Sequence, residues 1–537
     1  MCIRFDGGAY PYTSQRRVVY ARRGMVCTSQ PLASQAGLQI LQQGGNAVDA
    51  AIATAVCQTI VEPTNNGLGS DCFAIVWAKD KLYGINGSGY APQGLTPEML
   101  IKDGYKQMPL RGWKAVTIPG APSAWAELHR RFGRLPFSAL FAPAIYYAEN
   151  GYPVSPIVAR FWQEGVELLS EYKENPAIAP WFSVFAPDNK VPKAGELVRL
   201  PQQARTLRLL ADSYCESYYR GELAEKIVAF SEATGGYISA DDLADYHAEW
   251  VQPLHINYRG YDVWEMPPNG HGITALMALN ILQGFDFSDM PLEERIHKQI
   301  EAMKLAFADG MKYIADPRYM QADVEKMLSC EYAAERRLLI GGQAQLPQAG
   351  KPFCGGTVYL CTADAEGNMV SFIQSNYKDF GSGVVLPDYG INFNDRGAGF
   401  SLDKDSDDYL QPRKKPYHTI IPGFLTKDGR AVGPFGVMGA YMQPQGHVQV
   451  IMNSLDFYLN PQAALDAPRW QWIKDKEVWL EDSIPEEVAE QLRKRGHDVH
   501  IMDDYTSFGR GEIIWRDADG TLAGATEPRA DGTVAAW

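Results

Sequence analysis

No apolar run approaches the roughly 18 residues that a membrane-spanning helix needs, so no membrane segment is expected. The N-terminal stretch carries arginines but lacks the apolar core of a secretory signal, which points to the cytoplasm. Eight cysteines are scattered without CxxC spacing, a usage that fits reduced, buried thiols rather than a disulfide frame. No block of like charges occurs, and a net charge of -14 argues against a nucleic-acid partner, whose phosphates would demand a basic patch. Also missing are G-x-S-x-G, G-x-x-x-x-G-K-[ST] and H-E-x-x-H, which removes the commonest hydrolase, nucleotide and zinc readings. The nine histidines include no helical pair four apart, and His497 and His500 read as surface residues, so no metal or other cofactor is expected.

What is present is a chain of 537 residues, 46% apolar and 21% charged, long enough for a large core and suited to small-molecule chemistry. Apolar spacing of three and four predicts a helix from Leu32 to the Gly44-Gly45 break and a second, Ala-rich and buried, ending at Val61. A hairpin follows, with strands Cys72 to Ala78 and Lys81 to Asn86. Residues 100 to 350 are mostly helical in pattern; from Thr357 onward short strands dominate, and "HVQVIMNSL" fits either a strand or a helix. Residues 341 to 356 read as an exposed linker between the two parts.

After Gly355-Gly356, "TVYLCTAD", "AEG" and "NMVSFIQSN" read as a hairpin whose Gly367 suits a left-handed turn position. If Asp364 faces Asn368, Thr357 faces Ser375; a slip of one residue substitutes Asn376. A threonine hydroxyl is a poor nucleophile without a base, and no local His or Asp offers one. Cleavage of the Gly356–Thr357 bond would free an α-amine, of reference pKa about 8, to serve as that base. The alternative is a threonine that merely opens a strand.

The segments "GGNAVDAAIATAVCQTIVEPTNNGLGSDCFAIVW", "TVYLCTADAEGNMVSFIQSNYKDFGSGVVLPDYGINFNDRGAGFSLD", "KKPYHTIIPGFLTKDGR" and "FGVMGAYMQPQGHVQVIMNSLDFYLNPQAALDAPRWQW" closely resemble the γ-glutamyltransferase family of N-terminal-nucleophile hydrolases. The resemblance runs in order from about residue 22 to the C-terminus. It implies an α+β fold, a four-layer αββα sandwich shared by a large fragment, residues 1–356, and a small one, 357–537, that stay associated. It further implies that Thr357 is both processing residue and nucleophile, that Ser375 orients its hydroxyl, and that the amides of Gly439 and Ala440 receive the oxyanion.

The departures concern substrate. Ser88 stands where the family's carboxylate-binding arginine would be, and Gly399 where its amine-binding aspartate would be. His418-Thr419 replaces a paired serine, and Arg396 appears nearby; these three and Asn376 are the substrate-binding candidates. The segment Ser401 to Pro416 is shorter than the transpeptidase branch's lid loop, which implies a pocket open to water and hydrolysis over transfer. The expected activity is hydrolysis of a small carboxylate-bearing amide, oxamate first, to oxalate and ammonia. The alternatives are a γ-glutamyl (glutathione) hydrolase or transferase, a glutaryl-cephalosporin acylase-like enzyme, and an unprocessed binding protein. The sequence leaves room for a homodimer.

Overall fold

The computed structural model describes residue 12, residues 16–346 and residues 357–537. Two antiparallel sheets of seven strands form its centre. One runs Thr533–Ala536, Gly24–Thr28, Val358–Asp364, Met369–Ser375, Asp71–Ala78, Lys81–Gly87, Glu249–Val251. The other runs Val19–Ala21, Leu522–Thr526, Arg510–Arg516, Arg430–Met438, Gly423–Lys427, Tyr261–Glu265, Leu254–Tyr258. Each sheet mixes strands from both sides of residue 357.

Alternation along the strands decides which side chains meet. Tyr359, Cys361, Phe73, Ile75 and Ile373 join Phe424, Met438 and Ile514 of the other sheet in the layer between the two. Leu360, Val370 and Phe372 point the other way, against the helix Ala47–Val61. All fifteen residues of that helix are buried, and Asn46 and Asp49 close its N-terminus in a reciprocal capping box. Helices Gly272–Leu282, Leu292–Tyr313 and Met442–Leu455 cover the outer face of the second sheet, which completes the αββα order. The segment containing "HVQVIMNSL" is thus helical: its residues bury on nearly every side between the sheet and Trp470, an environment that overrides its β-branched character.

Near the end of the large helical region one expectation holds for the described residues and one is corrected. Residues 341–346 are exposed apart from the buried Ala344, and hydrogen bonds hold them to the body of the protein. Gln345 N–H donates to Glu301 Oε2 (3.0 Å), Lys304 Nζ to Gln345 O (3.1 Å), and Ala344 N–H to Arg495 O (2.7 Å). The rest of the expected linker, 347 to 356, lies outside the described residues. His497 is not at the surface: it is buried against His297, with the ring nitrogens 2.8 Å apart. Since His297 Nε2 faces the Gly341 carbonyl at 2.9 Å, that nitrogen carries the proton, and His497 donates to His297 Nδ1.

Burial holds His297 below the usual imidazole range, and burial together with the nearby Lys304 charge brings His497 down to about 3. A base with a depressed folded pKa binds protons more readily when unfolded, so its stabilising contribution is complete above about pH 6.5 and is lost as pH falls. Urea midpoints at pH 7.5 and 5.0 should differ, with about 2 kcal/mol of the loss at pH 5 arising from His497 alone. His497→Gln should narrow that gap; an equal gap in the variant would show that the pair stays neutral for another reason.

Candidate active site

Sequence separation fixes the first contact. Val358 pairs with Gln374, and the same register carried one residue further sets Thr357 opposite Ser375. Asp364 N–H bonds Asn368 O at 3.1 Å, and Gly367 has φ 89°. Thr357, buried at 1% exposure, donates to Ser375 Oγ at 3.3 Å, and the Tyr377 amide donates to the same oxygen at 2.7 Å. That second bond forms because the chain reverses at once: Tyr377 adopts a left-handed φ of 85°, which costs of order 1–3 kcal/mol in a non-glycine residue.

A second sheet-to-helix turn meets the same threonine. Strand Arg430–Met438 ends in Gly439 (φ 134°) and Ala440 (φ 51°), and helix Met442–Leu455 starts two residues later. The carbonyls of Gly439 and Ala440 accept from Met442 and Gln443 (3.0 and 3.1 Å), while neither residue's own amide donates to a described residue. Gln443, in the first turn of this helix, donates from Nε2 to Thr357 Oγ1 at 3.4 Å and accepts from the Ile421 amide at 2.9 Å. The helix N-terminus, where unpaired amides and the helix dipole favour negative charge, therefore stands beside the Thr357 hydroxyl.

The third group is ionic. Asp71 lies directly across from Ser375 on the neighbouring strand, so Thr357, Ser375 and Asp71 form a row across three strands on the inter-sheet face. Arg396 is fully buried on a tight turn, its amide held by Asn394 Oδ1 at 3.0 Å. Its Nε donates to Asp71 Oδ2 (3.1 Å), its Nη1 to Thr419 Oγ1 (2.8 Å), and its guanidinium lies 4.5 Å over the Tyr377 ring. Nη2 has no partner, and neither has Asp71 Oδ1 or Asn376 Nδ2. Asn376 is otherwise anchored: its Oδ1 accepts from Ser70 Oγ at 2.8 Å and its amide donates to Asn65 O at 3.1 Å.

Burial pushes Asp71 up to about 7, against the pull of the Arg396 charge, and it depresses His418 well below the usual imidazole range, with Arg396 adding to the effect. His418 is therefore neutral. Its Nε2 lies 2.9 Å from Asp71 Oδ2 and its Nδ1 accepts from the Ile420 amide at 3.4 Å, so the proton sits on Nε2. Both ring nitrogens are engaged. The geometry thus corrects the expectation that His418 would donate to a ligand; it braces Asp71 instead. Thr419 accepts from Arg396 and retains its own hydroxyl proton.

The expected water-open pocket is closed over: Thr357, Ser375, Asn376, Arg396 and His418 are all buried, because their polar groups bond one another at the end of the inter-sheet layer. The two departures are physical. Ser88 turns into a knot with Asn86 Oδ1 (2.6 Å) and Asn269, and a Cβ at Gly399 would stand 2.8 Å from Tyr417 O, so no acid fits there without a backbone shift. Asp71, Gln443 and Tyr377 are not among the residues that the sequence singles out. Tyr377 alone had a local signal, two residues beyond Ser375 at the strand end. Gly356 lies outside the described residues.

Among the described residues, one group offers closely spaced metal-ligand atoms: His297, Glu301 and His497, within 4.8 Å of one another. The imidazoles bond each other and Glu301 is held by Lys304 (2.8 Å) and the Gln345 amide, so these donors are already used within the protein.

A family model described as gamma-glutamyltranspeptidase matches residues 33–537. The chain is 35% identical over 530 residues to a glutathione hydrolase-like proenzyme (YwrD) of Bacillus subtilis, covering 96% of this chain and 99% of that protein. It is 34% identical over 527 residues to the oxamate amidohydrolase proenzyme of Klebsiella pneumoniae, covering 96% and 98%. The crystal structure of a cephalosporin acylase from Bacillus halodurans superposes with a TM-score of 0.95 at 57% identity, covering 99% of each chain. A gamma-glutamyltranspeptidase of Helicobacter pylori shares the fold over 64% of this chain and 95% of its own, with a TM-score of 0.55 and 28% identity. With the four-layer sandwich and the Thr357–Ser375 hairpin in place, the chain belongs to the gamma-glutamyltranspeptidase family of N-terminal-nucleophile hydrolases.

Proposed function

We propose that this chain is an autoprocessed amidohydrolase that uses Thr357 to cleave a small amide bearing a carboxylate and no neighbouring amine. The observation that carries the substrate class is Arg396: a fully buried guanidinium with a partnerless Nη2, close to the Thr357–Ser375 pair, is a ready carboxylate site. An α-amine brought to the same place would meet that cation, and Gly399 leaves no room for the acid that would take it.

Maturation begins when Thr357 Oγ attacks the Gly356 carbonyl carbon. The C–N bond breaks as the hydroxyl proton passes to the leaving nitrogen, which frees the Thr357 α-amine and leaves the acyl group on oxygen; water then hydrolyses that ester, releasing the Gly356 carboxylate and restoring the Thr357 hydroxyl. In turnover that amine takes the hydroxyl proton, Oγ attacks the substrate amide carbon, and the Gly439 and Ala440 amides receive the oxyanion. Each such donor is worth roughly 3 kcal/mol of barrier. The amine of the substrate leaves with the proton, and water then frees the acid from the acyl-enzyme. Fragments 1–356 and 357–537 remain together because Val358–Asp364 is hydrogen-bonded between Gly24–Thr28 and Met369–Ser375. The described cysteines are all free thiols, which supports a reducing compartment such as the cytoplasm.

Oxamate and glutaryl amides both fit this class; the 57% identity to the Bacillus halodurans acylase favours a glutaryl-type substrate as the second reading. A hydrolysis panel of oxamate, glutaryl and γ-glutamyl amides decides. An amine-free carboxyl amide should exceed the γ-glutamyl compound in kcat/KM by about tenfold to a hundredfold, the worth of one charge-assisted contact. Equal or better turnover of the γ-glutamyl amide would promote the glutathione-type alternative, and no turnover of any amide by a single uncut band would indicate a binding protein.

Ser375→Ala should slow both cleavage and turnover by about 10², because the 3.3 Å contact that aims the hydroxyl is lost while the strand pairing remains. Circular dichroism should be unchanged. Rates equal to the wild type would remove Ser375 from the site.

A further inference from the structure

Asp71 has a role to fill beyond bracing the fold. Its carboxylate is completely buried, with one oxygen shared by Arg396 Nε and the neutral His418 and the other without a partner. The charged and titratable groups around it are few. Arg396 and His418 touch it; Lys415, 2.8 Å from Glu249 across the same segment, acts at longer range, and the Gly89 amide also favours the charged form. Tyr246 and Cys72 are neutral neighbours whose ionisation Asp71 further opposes. The site without a ligand thus holds one cation and one anion in close contact.

A substrate carboxylate docking on Arg396 Nη2 adds a second anion to the same guanidinium. Two carboxylates crowded on one cation in a buried site oppose each other's ionisation, which favours a proton on one of them. We propose that Asp71 is a specificity-determining residue of the site, taking up one proton from solvent on its partnerless Oδ1 as the substrate carboxylate docks on Arg396 and donating that proton's hydrogen bond to the ligand. The proton returns to solvent when the product leaves. The proposal rests on the reading of the substrate as a carboxylate-bearing amide. It also gives Asp71, already raised to about 7, a reason to be poised near neutrality.

The consequence is a preference for the carboxylate that weakens as pH rises. The test compares kcat/KM for glutaryl-p-nitroanilide with that for pentanoyl-p-nitroanilide, its neutral counterpart, from pH 6 to 9; the ratio cancels titration of the nucleophile's amine, which both substrates share. The glutaryl preference should fall about tenfold per pH unit above pH 7, with the change in KM, and Asp71→Asn should flatten the ratio. A pH-independent ratio in the wild type overturns the role of Asp71 while leaving the substrate class intact, and it does so even if the variant does not fold. A falling ratio that persists in Asp71→Asn also overturns it. No glutaryl preference at any pH, or hydrolysis of neither compound by a preparation that does not hydrolyse oxamate either, overturns the substrate reading itself.

Discussion

Thr357→Ala is expected to remain a single chain of 59.6 kDa and to hydrolyse no amide at a measurable rate. The variant removes the hydroxyl and the γ-methyl group of one side chain and leaves the strand pairing in place: Val358 to Ala363 keep their pairing with Gln374 to Met369, and the Tyr377 amide still bonds Ser375 Oγ. What disappears is the hydroxyl proposed to attack, and with it both the self-cleavage and the base that cleavage would free. Loss of a nucleophile from a concerted site costs roughly 10⁶ in kcat, because its partners do nothing useful without it. Thr357→Ser keeps the hydroxyl and should still be cut and active, though more slowly for want of the methyl group that fixes the rotamer. A Thr357→Ala chain that is cut and active would assign the chemistry elsewhere.

Arg396→Ala should show the second-largest effect, and it should show it twice. In the fold, the substitution strips Asp71 of its counter-charge; breaking one side of a buried pair costs about 3–5 kcal/mol. Because Asp71 already titrates at about 7, it can escape part of that cost by protonation, so the loss of stability should be smaller at pH 6 than at pH 8. In turnover, KM for a carboxylate amide should rise about tenfold to a hundredfold, the worth of a charge-assisted hydrogen bond, while a neutral amide changes far less. Thermal midpoints and KM at both pH values check the two halves separately. A variant with unchanged KM for the carboxylate substrate would place carboxylate recognition away from Arg396.

The parts of the site that local sequence could reveal were those built by one hairpin. The turn "AEG" sets the register from Asp364–Asn368 outward, and counting along it reaches Thr357 and Ser375 without any knowledge of the rest of the chain. Arg396 could be placed inside by chemistry, as the cation that replaces a missing clamp, and it is fully buried. Asp71 could not be found in this way. Its place beside Ser375 depends on pairing between residues 304 positions apart, and on its own it reads as the polar end of a turn-rich stretch. Gln443 is hidden for a similar reason, because its reach to Thr357 depends on how a strand-to-helix turn packs across the inter-sheet layer. For His418 the sequence points to a hydrogen-bonding side chain but does not show that Asp71 and the Ile420 amide take both its nitrogens. His497 reads as a surface residue because "RKRGHDVH" is rich in charge, whereas its burial comes from a helix 200 positions earlier.

Intact-mass analysis and N-terminal sequencing of the purified wild-type protein test the central claim most directly. The expected result is two fragments, about two-thirds and one-third of 59.6 kDa, with the smaller beginning Thr-Val-Tyr-Leu and the two co-eluting under native conditions. A fully active preparation that remains one chain, or whose small fragment begins at any residue other than Thr357, would contradict the account.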